Sequence, residues 1–65
     1  MSKADVGVAF RALSAGHRPE QIAAGLYEKS AKAMMRRQKN GEAAAKRYCA
    51  AVVNYAQEHW KPLAQ

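Results

Sequence analysis

Lys29, Lys32, Arg36 and Lys39 follow one another at spacings of three and four. On a helix wound at about 100° per residue they fall in one stripe. A stripe of cations attracts a polyanion by displacing its condensed counterions, and this is the chemistry that the chain offers most clearly. Between Lys29 and Arg47 stand seven basic residues, Lys29, Lys32, Arg36, Arg37, Lys39, Lys46 and Arg47, against the single acid Glu42, so the segment carries +7 − 1 = +6, the whole formal net charge. Surface faces built for solubility mix both signs, and no acid separates Lys29 from Glu42. On the other side of the same helix Ala31, Met34, Met35 and Gln38 gather, and that side is expected to pack.

Other chemistries find little to work with. The five acids, Asp5, Glu20, Glu28, Glu42 and Glu58, are scattered over different predicted helices. No Gly-rich phosphate loop and no Ser, His and acid arrangement accompanies them. Cys49 is the one cysteine, so no intrachain disulfide forms, and no metal-ligand spacing exists. His17 and His59 have no acid at a helical spacing to orient them, and both are expected at the surface. The expectation is a protein without enzymatic activity, cofactor, metal or small-molecule substrate. The first residues lack an apolar signal core, and no apolar run approaches the roughly 18 residues of a membrane span. A cytoplasmic protein with no membrane partner is expected.

The elements that must position the stripe read as helices throughout. Ser2 and Asp5 resemble a capping box ahead of Val6, Ala9, Phe10 and Leu13, which predicts a helix from about Lys3 to Ser14 with Gly16 as its stop. Pro19 suits the first position of a second helix, Glu20 meets the positive end of its dipole, and Ile22, Ala23, Leu26 and Tyr27 form its apolar face. If that helix ran on unbroken to Lys39, Arg37 would land in the middle of the apolar face, so a break is expected between Glu28 and Ser30. Ser30 can then cap a third helix that Asn40-Gly41 ends. From Glu42 onward Ala45, Tyr48, Val52, Tyr55 and His59, widened by Cys49, Val53, Ala56 and Trp60, predict a long helix ended by Lys61-Pro62. The fold class expected is all-α, a small bundle of four helices containing a helix-turn-helix, the last helix longest. One domain spans 1–65: a support helix in 1–15, the helix pair in 19–28 and 30–40, and the C-terminal helix in 42–61. The core is assigned to Val6, Phe10, Leu13, Ile22, Leu26, Met34, Tyr48, Val52, Tyr55 and Trp60. Sixty-five residues bury only about 60% of their unfolded surface, so a homodimer through the wide stripe of the last helix is expected to add burial.

The run from Leu13 to Tyr27 resembles the first half of a helix-turn-helix, as in response-regulator and sigma-factor DNA-binding domains. Ile22-Ala23 and Leu26 carry the likeness. Ser30 stands where a Ser or Thr caps the recognition helix, about one residue later than the commonest spacing, and Met34 takes the place of its buried residue. The likeness covers about residues 13–40. It implies that Lys32, Arg36 and Ala33, near the start of the third helix, face base edges in the major groove, with Ser30 at the helix head. Lys29, Arg37, Lys39, Lys46 and Arg47 would hold phosphates. His17, Arg18 and Gln21 would do so from the second helix, whose free N–H groups favour an anion. Asn40 can contact adenine, although its place before Gly41 also makes it a plain helix stop. In size and general look the chain is also similar to plasmid-stability proteins of the StbA type. Tyr27, Tyr48, Tyr55 and Trp60 suggest base stacking, but their helical spacing assigns them to the core, with no aromatic interleaved in the basic stripe. The function expected is sequence-specific binding of double-stranded DNA by a small bacterial, plasmid or phage regulator or plasmid-maintenance protein, as a homodimer or as repeated copies on adjacent sites. The alternative is a small helical interaction module or inhibitor that sets its basic face against an acidic protein partner.

Overall fold

Two glycines and one serine divide the chain. In the computed structural model, which describes residues 2–60, α1 spans Lys3–Ser14, α2 Pro19–Lys29, α3 Ala31–Asn40 and α4 Glu42–His59. α1 stops in a Schellman arrangement. Gly16 takes φ +88°, its N–H bonds Leu13 O at 3.0 Å, and the N–H of His17 bonds Ala12 O at 3.0 Å. Pro19 opens α2 as expected, and the Arg18 N–H donates to Gln21 Oε1 at 3.2 Å. The break expected after Glu28 falls at Ser30, whose extended backbone (φ −74°, ψ 128°) ends α2 and whose hydroxyl caps α3 by accepting from the Ala33 N–H at 3.2 Å.

Gly41 joins α3 to α4 with φ 92° and ψ 173°, a conformation essentially confined to glycine. Gly41→Ala is therefore expected to lower stability by about 1–3 kcal/mol, read as a shifted urea midpoint at unchanged slope. Unchanged stability would mean that the two helices are joined in some other way.

α4 is the central element. It packs against each of the other three helices, α2 touches both α1 and α3, and α1 and α3 do not pack on one another. Ala45, Tyr48, Cys49, Val52, Val53 and Ala56 are buried along α4, and all but Ala45 form one core cluster with Ala9 of α1, Ile22 and Leu26 of α2 and Ala33 of α3. Val6, Phe10, Leu13 and Tyr27 pack at the margin, half-buried. The result is an all-α bundle of four helices with the last one longest.

Three expected core residues lie elsewhere. Met34 is 43% exposed and Tyr55 44% exposed, the latter with its ring against His59 at 4.2 Å between centroids. Trp60 is half-buried and donates its indole N–H to Ser14 Oγ at 3.1 Å. α4 ends at His59 with Trp60 as its extended cap, and Lys61-Pro62, expected to end it, lies outside the described residues. Asp5 is the converse case. Its backbone N–H meets Ser2 Oγ at 3.4 Å, as half of a capping box, but its side chain turns into the bundle and is only 8% exposed.

Candidate nucleic-acid interface

α3 reaches the bundle through small side chains. Ala33, 1% exposed, is its one buried residue, and Ser30 just ahead of it is buried too. Taking Ala33 as the inward direction, Ala31, Met35 and Gln38 lie roughly 140–160° around the helix. They form the outward ridge, with Met35 53% exposed. This reverses the packing expected from the sequence, because a helix that docks by one alanine leaves its larger apolar residues outside. It also corrects two site assignments. Ala33 cannot face a base edge from inside the core, and the Ser30 hydroxyl is committed to the cap and to Asp5. Ala33→Leu is expected to cost about 1–3 kcal/mol by overpacking the α3–α4 contact, whereas Ala31→Leu on the outward ridge should stay within about 0.5 kcal/mol. Equal effects in thermal unfolding would contradict this orientation of α3.

The cations take the flanks. Lys32, Arg36 and Lys39 lie roughly 60–120° from Ala33 on one side, and Arg37 about 40° from it on the other. Lys32, Met35, Arg36, Lys39 and Asn40 surround one shallow depression, and Arg36, Arg47 and Tyr48 share the next, so the strip crosses from α3 onto α4. Among the described residues one ion pair forms, Lys46 with Glu42 at 3.5 Å, both exposed. Lys29, Lys32, Arg36, Arg37, Lys39 and Arg47 thus have no carboxylate within 4.0 Å among the described residues.

Aromatic rings do stand beside the basic helix, contrary to the sequence reading. The Arg36 guanidinium sits 4.9 Å from the Tyr48 ring centroid, Arg37 sits 5.3 Å from that of Tyr27, and Lys46 5.9 Å from the same ring. Each such contact is worth about 0.5–1 kcal/mol at an exposed site, and it fixes the side chain without neutralising its charge. Because Tyr48 and Tyr27 point up from α4 and α2, a spacing search within α3 alone misses them. The expected phosphate contacts His17, Arg18 and Gln21 are exposed, but they stand at the start of α2, about 16 Å of helix from Lys29. His17 and Gln21 share a groove with Lys29 and Ser30, whereas Lys32, Arg36 and Lys39 surround a different depression.

A buried polar cluster holds the head of α3. Ser30 Oγ donates to Asp5 Oδ2 at 2.8 Å, Tyr48 Oη donates to the same oxygen at 2.5 Å, and the Ser2 N–H reaches Tyr48 Oη at 3.4 Å. One carboxylate thereby ties α1, the α2–α3 joint and α4 together, and hydrogen bonds to a charged acceptor are the stronger kind. Burial pushes the Tyr48 phenol above its ordinary value of 10.0, and the hydrogen bond to Asp5 adds to this. The phenol therefore stays a donor in the folded state. Its stabilising contribution is complete below the ordinary value and fades as pH rises through the raised one. Burial likewise raises the Cys49 thiol, which is 1% exposed. Cys49 is expected to react with a thiol reagent only at the rate of unfolding; immediate reaction in native buffer would contradict its placement.

The joint between α2 and α3 is the single residue Ser30, shorter than the three- or four-residue turn of a helix-turn-helix. The chain matches no known protein family, no curated protein and no solved structure. Among the described residues no group of three His, Cys, Asp or Glu residues is placed to hold a metal, and no helix is long and apolar enough to cross a membrane.

Proposed function

We propose that the chain binds double-stranded DNA by laying α3 in the major groove, as a small regulator or plasmid-maintenance protein would. The observation that carries this reading is the strip of Lys32, Arg36, Lys39 and Arg47, continued by Lys29, which meets no carboxylate among the described residues. Phosphates are the partner that such a strip lacks. The outward ridge of Ala31, Met35 and Gln38 would enter the groove between the flanking cations, with Met35 and Ala31 against thymine methyl groups and Gln38 available to adenine. Arg36, held over Tyr48, is the cation best fixed for a base edge; Lys29, Lys32, Lys39 and Arg47 hold phosphates.

Anisotropy of a labelled random duplex tests this. Binding at low salt is expected, with log K falling against log salt at a slope of about −3 to −4 for the phosphate contacts of Lys29, Lys32, Lys39 and Arg47. No binding at low salt would remove the proposal. On a selected site, Arg36→Ala is expected to relax base preference at about 1–3 kcal/mol, and Lys39→Ala to weaken all sequences alike. Equal losses on selected and random duplex for both variants would contradict the assignment.

Two copies on adjacent sites, each contributing one α3, remain the proposed assembly. Most of the apolar stripe of α4 is spent inside the bundle, and Tyr55 is the large exposed apolar residue left on it for a contact between copies. The second reading, a basic face set against an acidic protein, draws on the exposure of both Met34 and Met35, since Met adapts to varied apolar partners. It is distinguished by failure to bind random duplex at low salt.

A further inference from the structure

Between α1 and α2 the bundle is open. A groove of about 490 Å³ runs there, walled by Val8 and Ala12 of α1 and by Ile22, Gly25 and Leu26 of α2. Its size lies in the range of small-molecule sites. Val8 is 42% exposed along it. Gly25 lines it, and a Cβ at this helical position would meet nothing within 4 Å. An alanine there would favour the helix by about 1 kcal/mol, so the glycine is not explained by helix formation.

The end of the groove where α2 meets α3 is charged. Asp5 lies there, 8% exposed, and both of its side-chain hydrogen bonds fall on Oδ2. Its Oδ1 takes no bond among the described residues. No fully buried side-chain oxygen among those residues lacks a partner, so Oδ1 keeps some exposure to solvent, and Asp5 is one of the residues that line the groove. Such an oxygen is an acceptor for a charged donor. Lys29 lines the same end and has no carboxylate within 4.0 Å among the described residues.

We propose that this groove binds a free α-amino acid with an apolar side chain. The ammonium group donates to Asp5 Oδ1, the carboxylate meets Lys29, and the side chain lies along Val8, Ile22 and Leu26. A simple amine would set its charge beside Lys29 and a simple acid beside Asp5, whereas a zwitterion answers both. Occupancy would bear on α3, since Asp5 holds Ser30 and Ser30 caps that helix. The groove is separate from the outward ridge of α3 and shares Lys29 with the basic strip, and the proposal does not rest on DNA binding.

Titration of the ¹⁵N-labelled protein with L-phenylalanine tests it. Saturable amide shifts are expected at Val8, Gly25 and Ser30 in about the millimolar range. Phenethylamine, which lacks the carboxylate, and 3-phenylpropionate, which lacks the ammonium, should each bind about tenfold more weakly. Gly25→Leu, at a position where an added Cβ meets nothing within 4 Å, is designed to fill the groove and should abolish the shifts while the helical circular dichroism stays native. Lys29→Ala, at an exposed position, should weaken phenylalanine about tenfold while phenethylamine, relieved of a like charge, binds no more weakly than before. Absence of saturable shifts up to about 20 mM phenylalanine, well beyond the affinity expected of a ligand of this size, would overturn the proposal. So would equal binding of phenethylamine, or shifts that survive in the folded Gly25→Leu variant.

Discussion

Asp5→Ala is expected to lower the stability of the fold by about 2–4 kcal/mol, a large share of what a domain this small holds. The substitution strands two buried donors, Ser30 Oγ and Tyr48 Oη, which share Asp5 Oδ2. Removing the acceptor leaves both hydroxyls desolvated, and this costs more than deleting either donor. Tyr48→Phe should accordingly cost about 1–2 kcal/mol. Ser30→Ala should cost about 1–3 kcal/mol, because it also removes the cap of α3. Urea unfolding of the three variants, combined with the Asp5→Ala/Ser30→Ala double variant, reads the coupling directly. Additive losses would show that the cluster does not act as a unit, and Asp5 would then be an ordinary helix-start acid.

Replacing Lys32, Arg36 and Lys39 together by alanine is expected to flatten the salt dependence of DNA binding by about two units of slope, for the phosphate contacts of Lys32 and Lys39, and to remove the base preference that Arg36 gives. Random-duplex affinity, for which dissociation constants of about 10⁻⁴–10⁻⁶ M are usual at physiological salt, should weaken beyond measurement there. The fold should survive. All three residues are exposed, and the substitution takes away only the stacking of Arg36 on the Tyr48 ring, worth about 0.5–1 kcal/mol. The matched control replaces Lys3, Arg11 and Arg18, equal in charge and remote from the strip in sequence. If that control weakens binding as much as the strip variant does, net charge alone accounts for the attraction and α3 has no special part in it.

The helices were legible in the sequence because their boundaries rest on local chemistry. Ser2, Gly16, Pro19, Ser30 and Gly41 each act within a turn of their own position, and each element begins or ends where they stand. The face that α3 buries was not legible. Its apolar residues, Ala31, Met34 and Met35, suggested one side, but of the ten residues of α3 only Ala33 is buried against the bundle. Burial there depends on the partner helix, which periodicity within α3 does not contain. Asp5 was hidden for a similar reason. Its partners Ser30 and Tyr48 are 25 and 43 residues away, and a carboxylate near a helix start reads first as a cap. The cations kept the stripe that their spacing gave, while the rings of Tyr48 and Tyr27 came to them from other helices.

The most direct test of the account is a map of amide shift changes when the ¹⁵N-labelled chain is titrated with a short DNA duplex. The changes are expected to concentrate on residues 29–40, with a second group at Lys46 and Arg47, and to leave α1 untouched. A map centred on α1 and the start of α2, or no change at low salt, would contradict the proposal that α3 is the surface laid against nucleic acid.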